Sequence, residues 1–320
     1  MRTVDLLVVG AGPAGLSAAQ YGARSGLSVL AAEMAAIGGE MLNIHSIENY
    51  PGHGAESGAA LAETMRVQAE AAGAEFAALN ARSIACDEAG GFVIDFDDYG
   101  GIADSAGQIK AGAVIIASGS ERKKLGVPGE VELYGCGVSY CAACDGPFFK
   151  DKKIFVVGGG DAACDEARFL SRIGGEIIMV HRRGALRAQN AVAARVLNDP
   201  AIKVRFNTAV IEIKGGQRVE SVVIQDTQSG RTSEESADAV FIFAGITPRS
   251  ELAASAGLEI RPVLDHAGFI VTDQSMATAA PGIFAAGDVR LSPFRQVVTA
   301  AGDGAVAAHS AGKYLELRRR

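Results

Sequence analysis

Two segments of the chain share one pattern of apolar and polar positions. Residues 4–33 read VDLLVVGAGPAGLSAAQYGARSGLSVLAAE, and residues 152–183 read KKIFVVGGGDAACDEARFLSRIGGEIIMVHRR. Each segment begins with an apolar run, passes through glycines, continues with helically spaced apolar residues and ends in a second apolar run. The pattern predicts a strand, a turn, an amphipathic helix and a second strand, twice in one chain.

The glycines of both turns follow the spacing G-x-G-x-x-G/A. Aligned without a gap, the pairs are Gly10 with Gly158, Gly12 with Gly160, and Gly15 with Ala163. The first glycine makes a tight turn, the second lets the backbone approach a pyrophosphate, and the third position must be small where the helix packs on the strand. The pyrophosphate then lies at the helix N-terminus, where free N–H groups favour an anion. Because the motif occurs twice in the same context, two dinucleotide sites are predicted rather than ordinary glycine turns.

The residue that ends the second strand differs between the segments. An acid here, about 20 residues past the first glycine, holds a ribose 2′-hydroxyl. The first segment has Glu33, whereas the second has His181, followed by Arg182, Arg183 and Arg187. An acid repels a 2′-phosphate, and an arginine fork matches it in charge and geometry. We therefore predict FAD or NAD at the first turn and NADPH at the second; a solvated basic helix start is the weaker interpretation of the arginines.

Two further apolar runs end in small residues. They are AGAVIIASGS at 111–120, which includes Gly119, and GIFAAGDV at 282–289, which includes Gly287 and Asp288. Asp288 can accept a hydrogen bond from a ribityl hydroxyl, or it can be a turn-forming aspartate. Two nucleotide sites joined by hydride transfer indicate a flavoprotein.

Composition and charge exclude some classes of protein. A chain of 320 residues favours two domains, and 48% hydrophobic with 21% charged residues is typical of soluble globular proteins. A net charge of −7 gives no reason to expect nucleic acid as a partner. Neither a membrane span nor a signal peptide is predicted. The five cysteines are sparse, which favours a cytoplasmic location and a catalytic role for any disulfide.

Three of the cysteines, Cys136, Cys141 and Cys144, lie close together in the sequence. Their spacing is that of plant-type iron–sulfur proteins, but the next cysteine, Cys164, falls inside the second predicted helix, and zinc would need another ligand pair. No metal site is therefore predicted. We favour a redox dithiol of Cys141 and Cys144, because a helix that begins between them brings the sulfurs within bonding distance and lowers a thiolate pKa. The remaining cysteines are expected to be small apolar fillers: Cys86, Cys136 and Cys164.

Asp145 follows the dithiol directly. A carboxylate at this position can move the proton that a leaving thiolate requires. It can equally be a turn or helix-cap aspartate before Gly146 and Pro147, and the two roles are compatible.

The ordered set of motifs resembles the low-molecular-weight thioredoxin reductases of the class II pyridine nucleotide–disulfide oxidoreductases. The motifs are GAGPAG, IENYPG (47–52), CAACDG (141–146), GGGDAACDEA (158–167), HRRGALRA (181–188), GITP (245–248), GIFAAGDV and RQVVTAAGDGAVAA (295–308). The related glutathione reductase-like proteins carry their cysteines beside the first nucleotide turn, where this chain has none. The resemblance extends over essentially the whole chain.

This resemblance implies an α/β fold with two Rossmann-like, three-layer ββα dinucleotide-binding domains. The FAD-binding domain is expected to be discontinuous, residues 1–117 and 246–320, and the inserted NADPH-binding domain, 118–245, to carry the dithiol. The crossings near 118–120 and 244–248 would be hinges, because in this family the nicotinamide and the dithiol reach the flavin in turn by domain rotation. A homodimer is also expected.

The resemblance further implies an electron path from NADPH to FAD, then to the Cys141–Cys144 disulfide and on to thioredoxin by thiol–disulfide exchange. Cys144 is expected next to the flavin, Cys141 to attack the external disulfide, and Asp145 to act as acid and base. Three alternatives stay open: another acceptor, glutaredoxin-like or peroxiredoxin-linked; a ferredoxin–NADP reductase of similar fold, a class that lacks the dithiol; and a small-molecule dithiol oxidase.

Motifs and resemblance together assign the cofactor-binding residues. For FAD they are Gly10, Gly12, Gly15, Glu33, Gly39, Glu40, Asn49, Gly119, Gly287, Asp288, Arg295, Gln296 and Val297. For NADPH they are Gly158, Gly160, Asp161, Ala163, Asp165, His181, Arg182, Arg183 and Arg187, with Glu166 beside Asp165 in an acidic pair near the nicotinamide. Glu40 stands where the family commonly has glutamine; a charged glutamate near the flavin would lower its potential, and one that faces solvent would not.

Overall fold

The computed structural model describes residues 2–44, 47, 49–88, 90–98, 107–255 and 257–319. The chain forms two compact units: the first is discontinuous, Met1–Glu121 with Thr247–Arg320, and the second is Arg122–Ile246. Two short strands, β6 (Ser120–Arg122) and β15 (Ile246–Pro248), lie where the chain passes from one unit to the other. In the described part of the chain, no helix has the length and apolarity needed to cross a membrane.

The first unit is built on a mainly parallel sheet. The six strands of this sheet are β1 (Arg2–Val9), β2 (Val29–Glu33), β3 (Glu75–Cys86), β4 (Phe92–Asp98), β5 (Gln108–Ile116) and β16 (Ile283–Ala285). Its α-helices are α1 (Pro13–Arg24), α2 (Gly58–Ala71) and α6 (Val297–Arg319), with 3₁₀ turns at Gly39–Asn43, Glu251–Ala254 and Gly287–Val289. Parallel strands follow the order β3, β2, β1, β5, β16, and β4 pairs antiparallel with β3 and β5.

Opposite faces of β1 belong to two different cores. Leu6 and Val8 pack with residues of α1 and α6. Leu7 and Val9 pack with residues of β3, β4 and the segment 252–258. Since successive strand residues point to opposite faces, this apolar strand is buried on both sides and separates a helical layer from an antiparallel one.

The second unit has a fully parallel sheet. Its elements are β7 (Val138–Ser139), α3 (Ala142–Asp145), a 3₁₀ turn at Gly146–Phe149, β8 (Lys153–Gly158), α4 (Asp161–Leu170), β9 (Glu176–His181), α5 (Asn190–Leu197), β10 (Ile202–Phe206), β11 (Thr208–Lys214), β12 (Ser221–Asp226), β13 (Thr232–Ser236) and β14 (Ala239–Phe243). The parallel strands follow the order β10, β9, β8, β14, β7. The remaining three, β11 to β13, form a separate antiparallel sheet.

The second unit repeats the three layers of the first. Ile154 and Val156 of β8 pack with α4 and α5, while Phe155 and Val157 pack with β11 and β12. The strand–turn–helix–strand prediction is confirmed in both segments, and α1 and α4 begin at the aligned residues Pro13 and Asp161. The predicted α/β fold of two three-layer dinucleotide-binding domains is likewise confirmed.

Candidate nucleotide turns and redox dithiol

The first glycine turn follows β1 directly. The Gly10 N–H donates to the Ala32 carbonyl at 2.8 Å, so the turn begins beside β2. Gly10 has φ +100°, and a methyl group there would collide with the Ala117 carbonyl. A methyl group at Gly15 would collide with the Gly10 carbonyl. Backbone therefore closes the turn at Gly10 and at Gly15 and leaves no room for a side chain at either position.

Glu33 lies at this turn, as the sequence predicts. Its carboxylate accepts hydrogen bonds from the Ala11 N–H at 2.8 Å and from the Ala35 N–H at 2.9 Å. The acid at the end of β2 thus reaches the backbone between the two glycines, which is where a ribose hydroxyl would meet it.

Other residues predicted to contact FAD converge on the same turn. A Cβ at Gly39 would lie 3.1 Å from the Gly12 Cα, and one at Gly287 would lie 2.9 Å from the Ala14 Cβ. Gly119 lies two residues after Ala117, whose carbonyl is next to Gly10, and it has φ +72°. These glycines bring three distant parts of the sequence to the start of α1.

A second group surrounds the start of α6, whose first residue is the predicted Val297. The Asn49 side-chain amide donates to the Gln296 Oε1 at 3.1 Å, across 247 residues of sequence. The Arg295 guanidinium stacks on the Phe269 ring at 4.4 Å, and its Nε is buried without a hydrogen-bond partner. Burial lowers the pKa of Arg295 and the charge of Asp288 opposes this, which places Asp288 near Arg295. A buried, unpartnered N–H beside an apolar ring is suited to a polar edge of a ligand.

The structure agrees with the solvent-facing alternative for Glu40, and it gives Asp303 a role that the sequence did not indicate. Glu40, in the 3₁₀ turn that follows Gly38, has an exposed side chain. Asp303 accepts from the Gly287 N–H at 3.2 Å and pairs with Arg290 at 3.1 Å, so it holds the turn that carries Asp288. Only the long-range contact reveals this role of Asp303, since an aspartate inside a helix carries no local signal for it.

The second glycine turn has the same order of elements as the first and a different strand end. A Cβ at Gly158 would lie 2.5 Å from the Ala163 Cβ, so the small third position is again in close contact. His181 ends β9, is 5% exposed, and packs its imidazole onto Gly159. The Arg187 and Ala188 N–H groups donate to the Gly159 carbonyl at 2.6 and 3.1 Å, which folds the arginine-rich loop back onto the turn.

The arginines form a cluster around His181. Burial lowers the pKa of His181, and the charges of Arg187, Arg183 and Arg182 lower it further. The three arginines have exposed side chains, and the His181 Nε2 is buried without a hydrogen-bond partner. Several cations around one neutral ring make a concentrated positive potential at the end of β9.

The three predicted acids of α4 have different surroundings. The Asp161 carboxylate accepts from the Gln189 backbone N–H at 2.7 Å and from its side-chain amide at 3.2 Å. The side chain of Asp165 is exposed. Burial raises the pKa of Glu166, while Arg122 opposes the rise and Asp165 adds to it. Glu166 is thus the more buried acid of the pair.

Cys141 and Cys144 form a disulfide, as predicted from their spacing. Cys141 is the N-cap of α3, the two Cα atoms are 5.3 Å apart, and both residues are half-buried. The Asp145 N–H donates to the Cys141 carbonyl at 3.1 Å and closes the helical turn around the sulfurs. The dithiol is therefore accessible while its backbone is fixed.

The prediction for the other cysteines is wrong in part. Cys164 is buried in the core beneath α4, and burial raises its pKa to about 11. Cys86 and Cys136 are exposed, because Cys86 is the last residue of β3 and Cys136 lies in the turn before β7. Neither fills a core.

A buried carboxylate holds the segment that leads into the dithiol. Glu130 is 1% exposed and accepts from the backbone N–H groups of Leu125 and Gly126 at 2.9 and 2.7 Å. The Tyr140 hydroxyl donates to the same carboxylate at 2.7 Å, and burial raises the pKa of Tyr140. The Arg122 guanidinium donates to the Tyr140 carbonyl. The residue before Cys141 is thus anchored through its ring and through its backbone.

Comparison with known proteins places the chain in a family. The sequence profile of the pyridine nucleotide-disulphide oxidoreductases matches residues 4–304. The chain therefore belongs to the pyridine nucleotide-disulphide oxidoreductase family. Within that family it is similar to proteins named thioredoxin reductase: one from Treponema pallidum is 47% identical over 98% of this chain and 97% of its own length, and one from Bacillus subtilis is 42% identical over 98% and 96%.

Solved structures agree with this placement. A thioredoxin reductase from Streptococcus pyogenes is 39% identical, covers 98% of this chain and 99% of its own, and has a TM-score of 0.85. One from Giardia duodenalis is 35% identical over 99% of this chain and 100% of its own, with a TM-score of 0.88. Membership of this family implies a flavin and a pyridine nucleotide as cofactors.

Proposed function

We propose that this chain is an NADPH-dependent, FAD-containing disulfide reductase that reduces thioredoxin through Cys141 and Cys144. The observation that carries the proposal is the Cys141–Cys144 disulfide at the start of α3, followed by Asp145. A half-buried disulfide next to a carboxyl group is suited to exchange with an external disulfide. Relatives over almost the whole chain bear the name thioredoxin reductase.

The first unit, in this proposal, holds FAD. The glycine turn of Gly10 and Gly12 lies at the N-terminus of α1, where backbone N–H groups favour a pyrophosphate. Glu33 is at hydrogen-bonding distance of the same turn and would accept from a ribose hydroxyl. The unpartnered Nε of Arg295 and the Asn49–Gln296 pair offer polar contacts to the ring system.

The second unit, in the same proposal, holds NADPH. The exposed arginines at 182, 183 and 187 surround the end of β9, where the first unit has an acid. A 2′-phosphate carries between one and two negative charges at neutral pH, so it would bind to this cluster and be repelled by an acid at the same position. The orphan Nε2 of His181 adds a further polar group beside the cluster.

A flavin held by the Gly10 turn and Glu33 would supply two-electron chemistry between a nicotinamide and the Cys141–Cys144 disulfide. The chain's own residues then carry out the exchange. The Cys141 thiolate attacks one sulfur of the thioredoxin disulfide, so that one S–S bond forms and another breaks. Cys144 attacks Cys141 in turn, which restores the Cys141–Cys144 bond and releases the second thioredoxin sulfur. Asp145 supplies a proton to a departing sulfur and regains one from solvent.

The test is turnover of oxidised thioredoxin by the purified, flavin-loaded protein with NADPH. Cys141→Ser and Cys144→Ser should each abolish turnover, because either change removes one sulfur of the exchange. Cys136→Ser is the matched control: it removes an exposed free thiol five positions from Cys141 and should leave turnover unchanged. Undiminished turnover in either dithiol variant would reject the proposal, as would a protein that takes up no flavin.

Hinge motion near 118–120 and 244–248, homodimer formation and a cytoplasmic location remain predictions. The first two come from the family resemblance and the third from the cysteine content. Size measurement of the flavin-loaded protein in solution tests the dimer directly.

A further inference from the structure

Ser139 has no role in the sequence-based predictions, yet it contacts two groups of the dithiol site. It is the last residue of β7 and is 2% exposed. Its Oγ lies 2.5 Å from the Asp145 Oδ2 and 3.1 Å from the Cys141 backbone N. The Cys141 carbonyl oxygen is farther away, at 3.3 Å.

The direction of these hydrogen bonds follows from the groups involved. A backbone N–H can only donate, and an ionised carboxylate can only accept. The Ser139 oxygen therefore accepts from Cys141, and its single hydrogen goes to Asp145, since 2.5 Å is typical of a charge-assisted O–H···O⁻ bond. A continuous polar chain runs from the amide of Cys141 through the Ser139 hydroxyl to the carboxylate of Asp145.

Ser139 is the fixed end of this chain. It pairs with Phe241 in the parallel sheet, and the next residue, Tyr140, is anchored to the buried Glu130. Asp145, in contrast, is the last residue of a single helical turn and is half-buried. Since rigid elements position flexible ones, the sheet holds the carboxylate through the serine.

We propose that Ser139 is a positioning residue for the dithiol, whose hydroxyl holds the Asp145 carboxyl next to the backbone of Cys141. The inference rests on the proposed disulfide exchange. When a thioredoxin sulfur leaves, the Asp145 carboxyl gives it a proton and becomes a carboxylate, and the Ser139 O–H then donates to that carboxylate. The serine itself gains and loses no proton in the step.

The experiment compares Ser139→Ala with the parent in two half-reactions of the flavin-loaded protein. Reoxidation by thioredoxin should slow about tenfold, a part of the 10²–10⁴-fold that a positioned proton donor contributes. Flavin reduction by NADPH should keep its rate, because it does not use Asp145.

Two further variants separate positioning from general support of the fold. Ser139→Thr keeps a hydroxyl and a β-branched side chain suits a strand, so it should restore much of the rate of reoxidation by thioredoxin. Ser171→Ala is the matched control, because Ser171 makes a similar contact with Asp199, at 3.2 Å, elsewhere in the same unit. It should change neither half-reaction.

The double variant gives an independent measurement. If Ser139 acts through Asp145, then Ser139→Ala should cause no additional loss in an Asp145→Asn background. Losses that multiply, or a Ser139→Ala protein that thioredoxin reoxidises at the parent's rate, would overturn the proposal. A parent protein that fails to reduce thioredoxin would instead refute the proposed function, so the two failures are distinguishable.

Discussion

The two glycine turns share one order of elements and one spacing of small residues, and they differ in what closes them. In the first, the Glu33 carboxylate accepts from the Ala11 N–H, so a negative side chain occupies a backbone donor. In the second, the Arg187 and Ala188 N–H groups donate to the Gly159 carbonyl, and the neutral ring of His181 packs on the same residue. Closure by an acid leaves a negative edge, and closure by a basic loop leaves a positive one. The two strand ends therefore carry opposite charge beside the same kind of glycine turn.

Substitution of the first glycine, which both turns share, should have the largest effect on stability. Gly10→Ala places a methyl group against the Ala117 carbonyl at φ +100°. Strain and overlap should together cost about 3 kcal/mol or more of unfolding free energy. Denaturant unfolding and the flavin content of the purified protein measure both consequences.

Gly26→Ala is the control for that experiment. Gly26 also has positive φ, +79°, but a methyl group there has nothing within 4 Å. It should cost only the backbone term of about 1–2 kcal/mol and leave flavin content unchanged. Equal losses in both variants would mean that the contact with Ala117 has no importance.

Removal of positive charge at the second turn should weaken the binding of NADPH. Replacement of Arg182 and Arg183 together by alanine removes two charge-assisted contacts to a 2′-phosphate. At about 1.5–3 kcal/mol for each such bond, the KM for NADPH should rise at least about 100-fold, and the KM for NADH should change little. Steady-state kinetics with both coenzymes measures this, with the exposed Arg172→Ala as a charge-matched control in the same unit. Equal increases for both coenzymes would show that the arginines do not recognise the phosphate.

The smallest expected effect concerns pH. The pKa of His181 is below its usual value of 6.5 because of burial and the neighbouring arginines. Below that value the unfolded chain binds a proton that the folded one does not, so stability is complete above about pH 6.5 and is lost as the pH falls from there towards the folded-state pKa. The loss has a limiting slope of about 1.4 kcal/mol per pH unit.

Unfolding of the parent and of His181→Gln, compared between pH 8 and pH 5.5, isolates this contribution. The variant should lose less stability than the parent as the pH falls. Parallel curves would show that the imidazole does not titrate differently in the folded protein.

Much of this arrangement could be predicted from the sequence because it is local. The strands, the turns and the starts of α1 and α4 follow from apolar runs and glycine spacing over about 30 residues. The alignment of the two segments also predicts an acid at the end of the second strand in the first segment and arginines at that position in the second. The Cys141–Cys144 disulfide is also local, since one helical turn joins its two residues.

The remainder depends on contacts that no short pattern contains. The Asn49–Gln296 hydrogen bond joins residues 247 positions apart, and the stacking of Arg295 on Phe269 needs the folded unit. Ser139 and Asp145 are only six positions apart, but their hydrogen bond forms only because the fold brings the end of β7 next to the end of α3. The exposure of Cys86 and Cys136 likewise depends on where the folded chain places each residue relative to the core.

Glu130 has a consequence for the redox cycle. Its carboxylate anchors Tyr140, the residue directly before Cys141, while Cys144 belongs to a single helical turn. Two sulfurs must move apart when their bond is reduced. We expect most of that displacement on the Cys144 side, so the sulfur offered to an incoming protein would keep its location in both oxidation states.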